Sequence, residues 1–543
     1  MLDLGEFDTL PDGEPTLRKA EGQRFVCVRE GNALHVLDDR CPHEGYPLSG
    51  GAVRDGVLTC CWHNWKFELS SGACTFGGEA VRRYPAEVSG GRICVHKQPL
   101  DPVKERTRIA GSLAAKLRDG SFGSVMREGL RLESFGGEPL AAIAEDAAGR
   151  APYGFEHGLA ALADVARWTA EGQVDPAPAL AAISVLVGEP LLHAPPRPRA
   201  EARSGGAAGL RHALEAEQRA EAEGIARRIA RDGSIVDAVR NGLAPWLSRD
   251  LTDYGHGVIF TLKALELTRR YPSVAEEVFA ALVVTLGWST FDSALPGWGA
   301  THQGIAEASA GGEAPVPARP YLDAVLDSER SAVRACLNAL DRGAHPNTLL
   351  RLSARAAAVR LGRFDDAWEG RTDAPVTALS VSHALTFAEA ALSLPCSRAD
   401  RARFAVQSAA FVGKLRQADR TTPGPRELGA GDLPSALRDR DLTAALHASN
   451  SVPLGAFASA LAEHALHRAY VRPIFATHAV KTAEACFRLE RLDPEGRDAY
   501  RRALLTLVVP RRPERFSHRT AAIAARFVAD PADGGGRPPP GLY

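Results

Sequence analysis

Cys41-Pro42-His43 is followed, after sixteen intervening residues, by Cys60-Cys61-Trp62-His63. Two thiolates and two imidazoles in a C-x-H and C-x2-H arrangement form a ligand set for either one zinc ion or a pair of irons. Each close pair places a cysteine and a histidine on one loop tip, so two hairpin loops can grip a cluster from both sides. Zinc fingers space their ligands differently. The iron assignment puts Cys41 and Cys60 on one iron and His43 and His63 on the other. Replacing two thiolates by imidazoles raises the reduction potential above that of all-cysteine clusters, and the chemistry is one-electron transfer.

A second set of residues recurs along the chain. His157 (HGLAALADVARW), His256 (HGVIFTLKALEL), His383 (HALTFAEAALSL) and His478 (HAVKTAEACFRL) each precede a small residue and an aliphatic run. Each is expected to open a helix and to be followed by a turn and a second helix. Helices ending at KLRDGS, RIARDGS and NALDRGA enlarge the unit upstream, which predicts a helical repeat, stacked as a solenoid or toroid. Equivalent positions in such a stack face a common axis, so the four histidines are candidates for a second metal site. Imidazole suits iron, copper and zinc, and iron is the expected ion. Three weaker candidates are His464 and His467, an i, i+3 pair on one helical face, and Asp164, which shares the face of His157 two turns on. Glu389 and Glu484, six residues after their histidines, are expected to face elsewhere. The bland alternative is that duplication copied histidines that only cap or pack helices.

These residues must be positioned by two kinds of structure. Up to residue 97 the sequence reads as short strands (RFVCV, ALHVL, GVLTC, WKFEL, RICVH) separated by turns, a small all-β domain. Residues 98–107 are expected to be a linker, 108–530 an all-α repeat domain, and 531–543 a disordered tail. Ala194–Gly209 and Pro296–Pro320, rich in Pro, Gly and Ala, are expected to be loops. Six of the nine cysteines lie in the first 97 residues, which points to a local metal site and not a disulfide framework. A chain of 543 residues with 45% hydrophobic and 24% charged residues is expected to be multidomain and cytoplasmic. A formal charge of −1 offers no field for nucleic acid or anionic lipid, and no apolar stretch of about 18 residues predicts a membrane span. Neither G-x-G-x-x-G nor G-x-x-x-x-G-K is present, so NAD(P)H is expected to be oxidised by a separate flavin reductase.

The C-x-H and C-x2-H pair, with GYPLSGG (45–51) and KFELSSGA (66–73) behind its two loops, resembles the Rieske [2Fe-2S] domain of ferredoxins and oxygenases. Cys61 stands where that family usually has proline. Tyr46 and Trp62 occupy the positions of a disulfide found in the respiratory branch, so the resemblance implies the ferredoxin and oxygenase branch and a lower potential within the Rieske range. The D-x2-H-x4-H iron motif of Rieske oxygenases is not matched: Asp253 and His256 have the first spacing, but residue 261 is Thr. The helix starts, with PYGFEHG and DYGHG, are similar to the questin oxidase-like family. That similarity implies dioxygen-dependent oxidation of an aromatic or polyketide-like metabolite, and it extends to His157, His256, His383 and His478 only. Together these readings predict an oxidoreductase relaying electrons from the reductase through the cluster to a histidine-bound non-haem metal that oxidises a small molecule. The rival expectation is an electron carrier whose helical repeat is a non-catalytic docking scaffold for a partner enzyme. No catalytic residue is assigned from sequence.

Overall fold

The computed structural model describes residues 1–96, 100–289, 299–369, 376–420, 431–467 and 472–510. They divide into two compact units, one of residues 1–113 and 123–137, the other of residues 114–122 with everything from 138 onward.

The first unit holds ten strands in three antiparallel sheets. β1 (Leu2–Glu6), β10 (Arg92–Val95) and β9 (Ala86–Ser89) form one, and β2 (Thr16–Ala20), β3 (Gln23–Glu30) and β4 (Ala33–Asp38) the second. The third runs β5 (Ala52–Arg54), β6 (Val57–Thr59), β7 (Lys66–Glu68) and β8 (Cys74–Phe76). The Phe25–Val28 run within β3 is wholly buried because the strand separates two cores. Side chains alternate across a strand, so Phe25 and Cys27 enter the core shared with β1 and β10, while Val26 and Val28 enter a second core with Leu48, Leu58, Phe67, Cys41 and Cys60.

This unit is larger than the sequence indicates. A helix, Pro102–Arg118, runs through much of the expected linker, and a further helix, α1 (Phe122–Ser134), belongs to the β-rich unit. The boundary expected at residue 97 is therefore moved. Glu79 makes the attachment: it pairs with Arg127 (2.9 Å), Arg131 (3.0 Å) and Arg108 (3.9 Å), contacts that no local sequence pattern announces.

The second unit is helical throughout its described residues. At its centre are α2 (His157–Ala170), α3 (His256–Arg270), α4 (Ala378–Ser393) and α5 (Pro473–Leu492), each packed on the next, with α5 also packed on α2. His157 and His256 open their helices as expected, but His383 and His478 do not: each is the sixth residue of a longer helix. The α4 start is set by a capping box, with the Thr377 hydroxyl accepting from the Ser380 N–H, and the α5 start by Pro473 at its first position. The expected Pro296–Pro320 loop contains a short helix, Gly299–Glu307, and ends in another beginning at Ala318. The Ala194–Gly209 segment is irregular until a helix begins at Gly206. The expected tail, 531–543, lies outside the described residues.

Candidate functional sites

The loops Cys41–Tyr46 and Cys60–Trp65 are built alike. In each, the cysteine N–H donates to the carbonyl five residues on, Cys41 to Tyr46 and Cys60 to Trp65, both at 2.8 Å. In each, the fifth residue turns the chain with positive φ, Gly45 at 78° and Asn64 at 57°. The result is that the Cys41 and Cys60 thiols, both buried, face one another, while the His43 and His63 rings meet edge to face with centroids 4.4 Å apart. The N–H groups of His43 and Glu44 point at the Cys41 sulfur, as donors to a thiolate would. Burial and the neighbouring Cys60 push the Cys41 thiol up to about 12, a charge cost that an iron pair bound between the loops would remove. The donor set and its two-sided arrangement thus fit a [2Fe-2S] cluster on Cys41, Cys60, His43 and His63. Two features of this centre were not foreseen. Arg127 of α1 donates to the His43 carbonyl at 2.7 Å, and Tyr46 stacks on Trp62.

In the helical unit, His157, His256, His383 and His478 converge, with ring nitrogens all within 4.8 Å of one another. Successive Nε2 atoms lie 3.0 Å (His157 to His256), 2.9 Å (His256 to His383) and 3.1 Å (His383 to His478) apart. The other ring nitrogen decides what these contacts are. Nδ1 of His383 faces the Leu379 carbonyl and Nδ1 of His478 the Ile474 carbonyl, each at 2.6 Å, while Nδ1 of His256 lies 3.2 Å from the Asp253 carboxylate. Those partners accept only, so the protons sit on Nδ1 and the Nε2 lone pairs point at one another. Burial holds His157, His383 and His478 well below the ordinary imidazolium range, aided by the nearby Lys481 cation, so extra protons do not relieve the repulsion. A cation between the lone pairs does. At metal–nitrogen distances of about 2.0–2.1 Å, ligands at right angles stand about 3 Å apart and tetrahedral ones about 3.4 Å, so the spacing fits a right-angled set.

The weaker candidates are placed elsewhere. His464 contacts the Val508 carbonyl at 3.2 Å and His467 is exposed. Asp164 is buried, but it pairs with Lys263 at 2.6 Å and lies outside the histidine group. Glu389 and Glu484 do point inward, against expectation: both are buried and both bind Arg488 of α5, at 3.1 and 2.6 Å. Six residues on a helix turn through about 600°, which leaves a long side chain within reach of the axis.

The sequence reading noted the spacing of Asp253 and His256 but not the contact between them. The turn before α3 carries positive φ at three consecutive residues, Asp253 (45°), Tyr254 (51°) and Gly255 (78°), and a Cβ on Gly255 would lie 2.4 Å from the Phe387 ring. This strained turn brings the carboxylate onto His256. Beside the four histidines, a cavity of about 380 Å³ opens at the N-terminal ends of α2 and α5, lined by Glu156, His157, Leu186, Glu189, Arg472 and Thr477 among others. Burial pushes the Glu156 carboxyl up to about 7, and its Oε1 has no protein partner.

Comparison with known proteins bears on the β-rich unit. Residues 1–85 match the Rieske [2Fe-2S] domain family. The ferredoxin component of an alkene monooxygenase system from Xanthobacter autotrophicus is 30% identical over 101 residues, covering 18% of this chain and 83% of that protein. The ferredoxin subunit of anthranilate 1,2-dioxygenase from Burkholderia cepacia is 33% identical over 95 residues, covering 17% of this chain and 88% of that one. 4beta-methylsterol monooxygenase from Methylococcus capsulatus is 36% identical over 93 residues, but only 15% of this chain and 25% of that enzyme are matched.

Proposed function

Because the chain belongs, through its first 85 residues, to the Rieske [2Fe-2S] family, we propose that it accepts single electrons from an external NAD(P)H-dependent flavin reductase and passes them to a metal held by His157, His256, His383 and His478. There they support oxidation of a small molecule by dioxygen. The observation that carries this reading is the convergence of imidazole lone pairs: at least three Nε2 atoms, with their Nδ1 protons committed to Leu379, Ile474 and Asp253, face a common point. When bound, the cluster supplies one-electron storage and the second metal supplies Lewis acidity and one-electron chemistry.

The protein's own residues do the rest. Asp253 and the two helix carbonyls fix the tautomers and ring planes of the ligands, as conserved partners of metal-bound histidines do. The cavity beside His157 offers Leu186, Pro190, Pro473 and Ile474 as apolar walls, with Glu156, Glu189 and Thr477 to orient a polar group. A substrate of modest size, including an aromatic one, fits about 380 Å³.

Metal analysis of the purified chain tests the proposal. Two irons per chain and nothing more would leave a cluster domain attached to a docking scaffold. Iron, copper or manganese beyond those two, lost when His256 and His383 are both replaced by Ala in a folded chain, is the expected result.

A further inference from the structure

Beneath the histidines, in the C-terminal direction of all four helices, lies a second buried polar layer. Asp164 and Lys263 each stand seven residues, about 10 Å along the helix, beyond His157 and His256. Lys481 stands three residues beyond His478. Lys263 Nζ binds Asp164 Oδ1 at 2.6 Å and lies 3.6 Å from Glu266. Further down, Arg488 binds Glu266, Glu389 and Glu484, and Trp168 donates to Glu484 at 2.8 Å. Glu389, Glu484 and Arg488 thus have strong, fixed partners.

The top of this layer is different. Asp164 Oδ2 is buried with no hydrogen-bond partner, and so is Lys481 Nζ, which faces the Phe260 ring at 5.7 Å. An unpaired buried carboxylate oxygen and an unpaired buried ammonium are each expensive. They occur together, from packed helices, between the histidines above and the Arg488 ion pairs below. The charge of Lys481 is felt at His157, and that of Asp164 at Lys481, so the amine lies within electrostatic reach of both.

We propose that Asp164 and Lys481, with Lys263 as the fixed counter-charge, form a proton store for the histidine centre, which yields a proton toward the histidines as electrons arrive and is refilled afterwards. The inference rests on the reading of that centre as a site of dioxygen reduction. Insertion of one atom of O2 into a C–H bond, with the other leaving as water, consumes two electrons and two protons. The electrons come from the reductase through the cluster; of the two protons, the store supplies one at the buried histidines and water reaching the open cavity beside His157 supplies the other. Burial raises the Asp164 carboxyl against the pull of Lys263, and burial lowers the Lys481 ammonium to about 7 against the pull of Asp164. Burial thus disfavours the charged form of both groups, the carboxylate and the ammonium. The charged groups facing Asp164 are Lys263 and Glu266 from α3, Lys481, Glu484 and Arg488 from α5, with Glu389 of α4 next to Arg488.

Infrared difference spectroscopy on the full, metal-loaded chain tests this. A protonated-carboxyl band, absent from Asp164→Asn and titrating between about pH 5 and 9, is expected. In Lys481→Met, where the cation is gone, the band should titrate at higher pH. Oxygen uptake driven by the reductase should fall about tenfold or more in Asp164→Asn at unchanged metal content and cluster spectrum, with an altered pH profile, and recover in Asp164→Glu. Absence of the band at every pH, or a titration indifferent to Lys481, overturns the proton store. So does a pH profile of oxygen uptake unchanged in Asp164→Asn. A wild-type chain with no metal beyond the cluster irons overturns the metal centre instead, and the infrared titration still decides the store.

Discussion

Tyr46 and Trp62 stack with ring centroids 4.3 Å apart and planes 22° from parallel, joining the two loops that carry the cluster ligands. Trp62 is 59% exposed, so the stack is a surface clasp and not part of the core. An aromatic pair contributes about 0.5–1.5 kcal/mol beyond area burial. Trp62→Ala should keep the reduced Rieske electron paramagnetic signal but bleach faster on warming. Cys41→Ser and His63→Ala, which remove ligands, should abolish that signal. An unchanged bleaching rate in Trp62→Ala would deny the clasp any role.

Arg127 ties α1 to the cluster loop through the His43 carbonyl and is itself paired with Glu79 and Glu128 at 2.9 and 3.0 Å. Removing the guanidinium leaves two carboxylates, one of them fully buried, near the cluster. Negative charge disfavours addition of an electron. Arg127→Gln should therefore lower the midpoint potential measured by spectroelectrochemistry, while Arg127→Lys, which keeps the charge, should lie closer to wild type.

Asp253 fixes His256 at 3.2 Å. Loss of such a partner typically costs 10–100-fold in metal affinity. Asp253→Ala should weaken the second metal by about that factor in a chelator competition, and Asp253→Asn, which retains an accepting oxygen, should weaken it less. The cluster irons should be unaffected in both.

Acid should destabilise the metal-free chain. His157, His383 and His478 are held well below 6.5 when folded, so the unfolded chain binds more protons below about that pH, and their contribution is lost as pH falls from 6.5 toward the folded values. Glu156 and Asp164, raised when folded, act oppositely and lose stability as pH rises above the unfolded carboxyl range toward about 7. At about pH 5 the three imidazoles outweigh these two carboxyls, and at about pH 6.5 the two effects offset one another, so stability should fall as pH drops between those values. Urea midpoints at these two pH values measure it, and His383→Gln should flatten the slope.

The convergence of Cys41, His43, Cys60 and His63 was legible in the sequence because all four sit on two short loops, where spacing alone constrains geometry. The four central histidines were legible for a different reason: recurrence in dissimilar surroundings, each repeat presenting the same position to its neighbours. What defeated sequence reasoning was long-range pairing. Arg127 lies 84 residues from the carbonyl it contacts, and nothing near Glu79 marks it as the anchor of a distant helix. The expectation that all four histidines open helices failed at His383 and His478 because a capping box and a proline began those helices earlier. Glu389 and Glu484 were misplaced because face assignment by Cβ direction ignores how far a glutamate reaches.

The four histidines lie 99, 127 and 95 residues apart along the chain. At about 5–20 residues per second, a ribosome releases the last of them many seconds after the first. Until His478 emerges, the helices bearing the other three lack α5, which packs on both α2 and α4. Tight metal capture is thus deferred until nearly every helix described has been made. A chain cut short by premature termination or proteolysis before residue 478 would lack one imidazole and the packing that aligns two others, and would hold its metal loosely or not at all. Under the proposed reading, an ion bound by all four imidazoles would mark the chains in which all four central helices have been made.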